Sequence, residues 1–425
     1  MTSNHTAIVI GGGVVGCCAA YYLSKAGWQV RIVESQRVGR GASHGNCGYI
    51  CPSHVLPLTS PGALWSTAKK MFSKDSAIYI KPRWDPQLLW WLMRFALNCR
   101  QGHMMDAARA RNSLLQSSMK LYREMMVDER LDVEWDDRGL LQVYKSHEEF
   151  EAFAKAAEFT RKEFGIAPNR VEARELTKLE PALRSDLAGG WHWLTDAHLR
   201  PDRLMTALAE LLRSRGIEIH EGVKVNDIEV SSGRATAIET TSGRMTADLF
   251  VIAAGAESPV FARPLGCRLP IQPGKGYSIT MPRPEGAPVT PMIFEEYHVA
   301  VTPWPSGMRI GSTMEFAGYD RTINRHRIDL FKRAAGEYMQ GPAAQPAAPG
   351  ANGEAIEEWY GWRPMTCDDL PCIGPAPRAA NAIVAAGHGM IGVASGSATG
   401  KLVAELAAGT TPHIDPAPFS LRRFG

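Results

Sequence analysis

The chain has 425 residues, of which 45% are hydrophobic and 21% are charged. This composition is typical of a globular protein, and the length exceeds what one simple core requires, so we expect two domains. The formal net charge is +3, and no basic run is present, so nucleic acid is not favoured as a partner. The first residues, MTSNHT, lack the basic and apolar regions of a secretory signal, and we predict a cytoplasmic protein.

The first predicted elements are a strand, a glycine turn and a helix. Residues 7–10 form a β-branched run suited to a buried parallel strand, and residues 14–26 follow with helical apolar periodicity. Between them Gly11, Gly13 and Gly16 have the G-x-G-x-x-G spacing. In such a unit the glycines permit the tight turn, the approach of a phosphate and the packing of helix on strand. The helix amino terminus then faces a pyrophosphate.

A second predicted strand, residues 29–33, ends at Glu34. A carboxylate at this point accepts hydrogen bonds from both ribose hydroxyls of a dinucleotide and disfavours a 2′-phosphate. The alternative is a glycine-rich turn without a ligand, but the strand, the helix and the acid together favour a nucleotide site.

Eight cysteines in a chain of this length, without a signal, indicate reduced thiols. The close pairs Cys47 with Cys51 and Cys367 with Cys372 lack metal-ligand spacing. We therefore expect no metal site and interpret these thiols as small apolar core residues.

Residues 88–97, LLWWLMRFAL, are too few to span a bilayer. Asp85 followed by Pro86 is a typical helix start. Two interpretations stay open. The segment is either a half-buried helix or a docking face for a membrane surface, with Arg94 on its polar side and two tryptophans at the interface.

The remaining predicted elements alternate in kind. We predict a helix over residues 204–215, a strand over 217–220, a hairpin of 223–230 with 235–240, and a buried strand over 249–252 that ends in Ala-Ala-Gly. Residues 270–313 combine strands with prolines, which indicates an antiparallel sheet. Residues 341–353 are a loop by composition. A strand over 382–386 then precedes Gly-His-Gly-Met-Ile-Gly and a small-residue helix to residue 408.

This last unit resembles the first, because a strand is again followed by a glycine turn and by a helix whose amino terminus favours an anionic ligand. A nicotinamide dehydrogenase needs one such site for its dinucleotide. A flavin dinucleotide needs two, because both its pyrophosphate and its reduced ring are anionic. The backbone N–H groups of Met390, Ile391 and Gly392 are therefore predicted to face the N1 and C2-carbonyl region of a flavin.

The chain resembles the D-amino-acid oxidase family of FAD-dependent oxidoreductases over nearly its whole length. Within the family it is similar to the bacterial D-amino-acid dehydrogenases and, more distantly, to glycine and sarcosine oxidases. The resemblance rests on GGGVVG with Glu34, GASHGNCGYICP at residues 41–52, AGA at 254–256, PIQPGKGYSIT at 270–280, GWRPMTCDDLPCIGP at 361–375 and GHGMIG at 387–392.

The resemblance implies a Rossmann-like FAD-binding domain interleaved with a substrate domain built on an antiparallel sheet. The expected FAD-binding segments are residues 1–85, 151–268 and 356–425, and the expected substrate segments are 86–150 and 269–355. It also implies non-covalent FAD that stays bound, since Cys367 is displaced by four residues from the position of the flavin-linking cysteine of monomeric sarcosine oxidases.

The resemblance further assigns cofactor residues by their motifs. Gly11, Gly13, Gly16 and Glu34 take the ADP half. The others are Ser43 and Asn46 for the pyrophosphate or ring, Val225 for the adenine, Gly255 in the AGA motif, and His388, Gly389, Met390, Ile391 and Gly392 around the flavin.

For the substrate, Arg363 is similar in placement to the carboxylate-binding arginine of D-amino-acid and glycine oxidases. A guanidinium fork holds a carboxylate by two parallel hydrogen bonds. A tyrosine from the sheet is a second substrate contact in relatives, and Tyr297 and Tyr277 are both candidates, with His298 as a competitor. No base is required if desolvation lowers the pKa of the bound amine.

The resulting prediction is oxidative deamination of a small D-amino acid by hydride transfer from its α-carbon to flavin N5. D-proline or a hydroxy-D-proline is the narrower candidate, and a quinone, a dye-like acceptor or oxygen takes the electrons. The alternatives are a glycine- or sarcosine-type amine oxidase, a flavoprotein subunit of a hetero-oligomeric amine dehydrogenase, and a nicotinamide-dependent dehydrogenase. Peripheral association with the inner face of the cell membrane is a further expectation.

Overall fold

The structure is a computed structural model that describes residues 5–61, 76–345 and 356–425. Its α-helices are α1 Val14–Lys25, α2 Pro86–Asn98, α3 Gln101–Glu129, α4 His147–Phe164, α5 Ala173–Leu179, α6 Pro201–Ser214, α7 Ala262–Leu265, α8 Arg325–Tyr338 and α9 Gly392–Ala408. Short 3-10 helices cover Gly255–Phe261, Gly341–Ala344, Ala417–Phe419 and Leu421–Phe424.

The β-strands are β1 Thr6–Ile10, β2 Gln29–Glu34, β3 Tyr49–Ile50, β4 Ile78–Ile80, β5 Leu140–Tyr144, β6 Asn169–Glu172, β7 Gly189–Trp193, β8 Ala197–His198, β9 Glu218–Glu221, β10 Val225–Ser231, β11 Arg234–Thr240, β12 Gly243–Met245, β13 Leu249–Ile252, β14 Ile271–Met281, β15 Met292–Phe294, β16 Val299–Trp304, β17 Gly307–Phe316, β18 Glu357–Thr366, β19 Cys372–Ala376 and β20 Ala379–Ala386. The elements predicted from residues 7 to 34, 204 to 252 and 382 to 408 are confirmed within a few residues at their ends.

A six-stranded sheet has the order β19-β20-β13-β1-β2-β9, and its strands are parallel except for β19. Apolar side chains of β1, β2 and β13 pack against α1 and α9 in one core, and these two helices also pack on each other. Because β1, β13 and β20 run in parallel, their carboxyl ends lie at one edge of the sheet, where open parallel sheets bind ligands. The glycine turns that follow β1 and β20 therefore meet at this edge.

A second, larger sheet has the order β18-β14-β17-β16-β15-β5-β7-β6, and β4 pairs with β17. The predicted antiparallel arrangement of residues 270–313 is confirmed by the pairings of β14, β15, β16 and β17. Helix α8 covers one face of this sheet, where its Ile328 and Phe331 pack against Tyr277, Ile279 and Ile310. The opposite face meets the loops that follow β2 and β3.

The strand pairing differs from the predicted segments in four places. Strands β4, β6, β7 and β18 lie in stretches predicted as FAD-binding, yet they pair in the larger sheet. They are short or lie at the sheet edge, so their periodicity does not show which sheet they join. Most of the predicted loop at 341–353 falls outside the described residues, and residues 341–344 form a 3-10 helix.

Helix α2 is amphipathic. The Asp85 side chain accepts a hydrogen bond from the Leu88 N–H at 3.0 Å and caps the helix as predicted. Of the two tryptophans, Trp91 is buried and its Nε1 donates to the carbonyls of Pro270 and Met365, whereas Trp90 is exposed. Across the described residues, no helix has the length and apolar character needed to cross a membrane.

Candidate active site

The first glycine turn combines two tightly packed glycines with one open glycine. A Cβ on Gly11 would lie 2.4 Å from the Ala253 carbonyl oxygen, and one on Gly16 would lie 2.0 Å from the Gly11 carbonyl oxygen. A Cβ on Gly13 would have the Ser43 Oγ, at 3.5 Å, as its nearest neighbour. Gly11 and Gly16 therefore serve close packing, and Gly13 leaves room for a phosphate at the amino terminus of α1.

Glu34 is fixed beside this turn. Its Oε2 accepts a hydrogen bond from the Gly12 N–H at 2.7 Å, and its Oε1 accepts one from the Gln36 N–H at 2.8 Å. The Val223 N–H donates to the Glu34 carbonyl oxygen at 2.9 Å, whereas Val225 lies two residues further along, buried and opposite Thr240. The Glu34 carboxylate is thus held at the end of β2, beside the position expected for a ribose. Of the two valines, Val223 is the one whose backbone bonds Glu34.

The loop of residues 41–48 joins this turn to the larger sheet. The Ser43 Oγ accepts a hydrogen bond from the Val14 N–H at 3.0 Å, at the start of α1. The Asn46 Oδ1 accepts one from the Gly48 N–H at 2.7 Å, so this side chain closes its own turn. Both predicted residues lie at the edge that carries the glycine turns.

Arg309, which the sequence did not single out, holds the same loop. Its Nη1 donates to the carbonyls of His44 at 2.8 Å and Asn46 at 2.6 Å, and its Nε donates to the Thr280 Oγ1 at 2.8 Å. The side chain is fully buried, and burial lowers the pKa of the guanidinium, while Asp202 opposes that shift. Nothing in its local sequence distinguishes it from any other strand arginine.

The second glycine turn leads into α9. The Gly389 N–H donates to the Pro364 carbonyl at 3.0 Å, and the Ile391 N–H donates to the His388 carbonyl at 3.0 Å. The Ile391 N–H is therefore engaged, contrary to the expectation that it faces a ligand. Among the described residues, no acceptor lies on the N–H groups of Met390 and Gly392, so these two stay available.

His388 and Gly255 have different surroundings. The His388 ring is buried, its Nε2 lies 3.0 Å from the Thr399 Oγ1, and burial lowers the pKa of His388 to about 3. This neutral ring therefore ties the turn to α9. Gly255 follows β13 with a φ of +55°, and a Cβ there would meet open space.

Arg363 lies on β18, half-buried and opposite Gly274 of β14. Its Nη1 donates to the Thr313 carbonyl at 2.7 Å, and its Nη2 lies 3.4 Å from the Ser312 carbonyl. In the part of the chain that the structure describes, no carboxylate forms an ion pair with this guanidinium. Burial lowers its pKa. The residue after it, Pro364, accepts the Gly389 N–H, so a cation held by neutral carbonyls adjoins the turn before α9.

The structure does not bring Tyr297, His298 or Tyr277 to this cation. Along β14, Gly274 and Gly276 lie on the same face of the sheet as Arg363. Tyr277 lies on the opposite face, where it packs towards α8. Tyr297 also packs on the α8 side, and its hydroxyl donates to the Glu337 Oε1 at 2.7 Å. His298 is 66% exposed at the turn between β15 and β16. We correct the expectation that one of them contacts the substrate.

Trp359 shares the face of Arg363 and was missed. Period-two alternation along β18 puts Trp359, Gly361 and Arg363 on one side. A Cβ on Gly45 would lie 2.0 Å from the Trp359 ring, and one on Gly361 would lie 2.2 Å from it. The indole therefore covers two glycines between the sheet and the loop of residues 41–48.

A buried carboxylate lies behind the α9 turn. Asp196 is fully buried, and its Oδ1 accepts the Ser53 N–H at 3.1 Å. Cys51, two residues before Ser53, packs against Ile391 and Ala394. Burial raises the pKa of Asp196 to about 7 from its ordinary value of 3.8, although hydrogen bonds from Ser53 and Thr195 oppose the shift.

This raised pKa predicts a pH-dependent stability. The folded chain holds a proton on Asp196 that the unfolded chain releases. The contribution of Asp196 to the free energy of unfolding is therefore complete below pH 3.8 and is lost as the pH rises towards about 7. The slope is at most about 1.4 kcal/mol per pH unit. We expect the Tm of Asp196→Asn, relative to wild type, to rise between pH 5 and pH 8 in thermal unfolding. Parallel curves would contradict the shift.

The set of polar groups and open backbone at this edge fits a dinucleotide with an anionic ring. It comprises an open glycine at the start of α1, a fixed carboxylate at Glu34, free N–H groups at the start of α9, and the Arg363 guanidinium. Within the described ranges, no three acidic, histidine or cysteine side chains form a group that could hold a metal ion.

Comparisons with known proteins show the family of the chain. A family model described as DAO, FAD dependent oxidoreductase, matches residues 6–406. Proteins named D-amino acid dehydrogenase from Paramagnetospirillum magneticum and Methylobacterium nodulans are 33% and 30% identical over 428 residues, and each match covers 98% of both chains.

Solved structures show the same fold. Glycine oxidase from Geobacillus kaustophilus has a TM-score of 0.78 at 24% identity, covering 98% of each chain. L-proline dehydrogenase from P. horikoshii has a TM-score of 0.72 at 20% identity, covering 100% of this chain and 98% of the other. The fold class expected from the sequence is confirmed, and the chain belongs to the DAO family of FAD-dependent oxidoreductases.

Proposed function

We propose that this protein oxidises a small D-amino acid with FAD and passes the electrons to a quinone or a similar acceptor. The observation that carries the proposal is Arg363, a half-buried guanidinium without a carboxylate partner among the described residues, next to the free N–H groups before α9. The relatives named D-amino acid dehydrogenase support the same substrate class.

The proposed cofactor contacts follow from the two glycine turns. Gly11, Gly13, Gly16 and Glu34 hold the ADP half, with Val223 or Val225 near the adenine. Ser43 and Asn46 border the pyrophosphate and ring, and Gly255, Gly389 and the N–H groups of Met390 and Gly392 border the flavin. When bound, FAD supplies the acceptor for the hydride that leaves the substrate. We keep non-covalent attachment as a proposal, and also the domain division, except that strands β4, β6, β7 and β18 go with the substrate domain.

The chain's own residues orient the substrate and stabilise charge. Arg363 holds the carboxylate by its fork, which aims the α-hydrogen at the ring. The N–H groups of Met390 and Gly392, with the positive end of α9, would face the negative charge that develops on the flavin ring, and so lower the barrier to hydride transfer. His388 is neutral and bonded to Thr399, so we assign it no proton transfer. Transfer of the substrate into this site lowers the pKa of its ammonium group, so the ammonium proton passes to solvent and the amine is bound as the free base.

The substrate side chain is proposed to be small. Trp359, over Gly45 and Gly361, limits the space on the Arg363 face, so D-proline or a hydroxy-D-proline is the narrower candidate. The second candidate is a glycine- or sarcosine-type amine oxidase that uses oxygen, since the glycine oxidase of Geobacillus kaustophilus shares the fold. A third is a subunit of a hetero-oligomeric amine dehydrogenase.

Initial rates with paired enantiomers test the proposal. With a dye as electron acceptor, we expect turnover with D-proline and other small D-amino acids and little with the L-enantiomers. Peroxide formation in air is measured in parallel and should be slow. A preference for glycine or sarcosine with rapid peroxide release favours the second candidate, and turnover that needs an added protein favours the third.

We further propose that α2 docks on a membrane surface, which bears on the acceptor. Leu89, Met93 and Leu97 form an exposed stripe at helical spacing, and Trp90 lies beside it with Arg94 5.3 Å from its ring centre. Apolar residues with an interfacial tryptophan and arginine are typical of helices that lie in the membrane interface. A quinone in the membrane would then be within reach.

Co-sedimentation with phospholipid vesicles tests this proposal. We expect wild type to bind and Leu89→Ser with Met93→Ser to lose about tenfold or more in affinity, because two exposed apolar side chains leave the lipid. Val127→Ser, at a more exposed apolar position on α3, is the control and should bind like wild type. Equal binding by all three proteins would exclude α2 as the docking face.

A further inference from the structure

The strand that supplies the carbonyl partners of Arg363 is irregular at that point. Strands β14 and β17 pair Tyr277 with Ser312 and then Lys275 with Glu315, so one residue, Gly276, faces two residues on β17. This is a β-bulge. Ser312 and Thr313 have φ values of +99° and +41°, which are unfavourable for side-chain-bearing residues and persist where surrounding contacts impose them.

The bulge shapes the seat of the guanidinium. The carbonyls of Ser312 and Thr313, the two strained residues, are the ones that accept from Arg363. A Cβ on Gly276 would lie 2.7 Å from the Arg363 Cζ, so the guanidinium rests directly on bare backbone. The extra residue on β17 thus turns two carbonyls towards Arg363, and the glycine on β14 provides the room beneath it.

A hydrogen bond on the opposite face closes the bulge. The Tyr277 hydroxyl donates to the Glu315 Oε2 at 2.6 Å, and the Asn324 Nδ2 lies 3.2 Å from the same oxygen. Tyr277 is the register partner of Ser312, and Glu315 is the first paired residue after the bulge. This bond therefore spans the irregular step. Tyr277 is 1% exposed and contacts α8, so it cannot touch a substrate beside Arg363.

We infer that Tyr277 and Glu315 are positioning residues for the substrate carboxylate, acting on the Arg363 guanidinium through the carbonyls of Ser312 and Thr313 at the bulge. The inference deepens the proposed function and rests on it for the identity of the carboxylate. Loss of the Tyr277 hydroxyl frees the bulge to relax towards regular pairing, which withdraws one or both carbonyls and lets the fork rotate out of alignment.

The test compares Tyr277→Phe with Tyr297→Phe in the FAD-loaded protein. Both tyrosines donate to a glutamate on the α8 side, at 2.6 and 2.7 Å, but the Tyr297 bond lies away from the bulge. The probe is pyrrole-2-carboxylate, followed by the change it causes in the flavin absorbance, with pyrrole-2-carboxamide as the uncharged control ligand. KM and kcat for the best D-amino acid are measured alongside.

We expect Tyr277→Phe to weaken pyrrole-2-carboxylate binding and raise KM by about threefold to tenfold, the effect of one lost hydrogen bond. Carboxamide binding and kcat should stay within about twofold, and Tyr297→Phe should match wild type in every measurement. A purely structural role would lower carboxylate and carboxamide binding together, and that result, or unchanged carboxylate binding, would overturn the inference.

A second variant tests the inference if Tyr277→Phe folds poorly. Gly276→Ala pushes against the flexible end of Arg363 and not against backbone, so the fold is retained while carboxylate binding should fall by about tenfold or more. If the wild-type protein oxidises no D-amino acid, the proposed function fails, but carboxylate binding still decides the positioning role.

Discussion

Replacing Arg363 with alanine is expected to raise KM for the D-amino acid by roughly 30-fold to several thousand-fold, the effect of removing one partner from a desolvated, hydrogen-bonded charge pair of about 2 to 5 kcal/mol. The reason is that the guanidinium has neutral carbonyl partners and no ion pair within the described residues, so we propose the substrate carboxylate as its counter-ion. Arg363→Lys keeps the charge but loses the planar fork, and its KM should lie between those of wild type and Arg363→Ala. Steady-state kinetics with FAD content measured separately checks both variants.

The matched control is Arg283→Ala. Arg283 also donates to two backbone carbonyls, those of Trp304 at 2.8 Å and Pro288 at 2.9 Å, at the end of β14 away from the glycine turns. Its replacement removes a similar set of hydrogen bonds without touching the site, so KM should stay near the wild-type value. If Arg363→Ala and Arg283→Ala gave the same KM, the carboxylate would be held elsewhere.

The second large effect is expected at the first glycine turn, where Gly13 and Gly16 should separate cofactor binding from folding. A Cβ on Gly13 has the Ser43 Oγ, at 3.5 Å, as its nearest neighbour. We therefore expect the chain to accommodate Gly13→Val and the added methyl groups to occupy the phosphate position at the start of α1. We expect FAD affinity to fall at least roughly 100-fold while the fold is kept. The flavin-to-protein absorbance ratio and circular dichroism measure the two effects.

Gly16→Ala should behave differently, because its Cβ would lie 2.0 Å from the Gly11 carbonyl oxygen, a backbone atom that cannot move aside. We expect a clear loss of Tm, from overpacking of about 1 to 3 kcal/mol or more, in addition to FAD loss. Gly102→Val on α3, where a side chain meets open space, is the control for both. Retention of full FAD content by Gly13→Val would contradict the assignment of this turn.

The parts of the site that were predictable from sequence are those set by neighbours along the chain. Gly11, Gly13 and Glu34 follow strands whose carboxyl ends meet at one sheet edge, so local spacing was enough to place them together. The same holds for the turn before α9. For these elements the strand-turn-helix order determines the geometry, whatever the rest of the fold does.

The face of the larger sheet was not predictable in the same way. Tyr277 and Tyr297 are strand or turn tyrosines like those expected at the site, but the alternation of side chains along β14 and the position of α8 place both on the face away from Arg363. A shift of one residue in register moves every side chain of a strand to the other face, and the sequence carries no sign of the bulge at Thr313–Met314. Arg309 and Trp359 were not predicted as site residues for a related reason, since their partners lie far away in sequence, in the loop of residues 41–48.

The central claim is that two helix amino termini bind one FAD, with the substrate carboxylate held beside it by Arg363. The most direct test is the visible absorption spectrum of the purified protein under nitrogen, before and after a D-amino acid is added. We predict a flavin spectrum that bleaches with the D-enantiomer, persists with the L-enantiomer, and bleaches in Arg363→Ala only at much higher concentration. A colourless protein that does not take up added FAD, or a flavin band that no amino acid bleaches, would contradict the account.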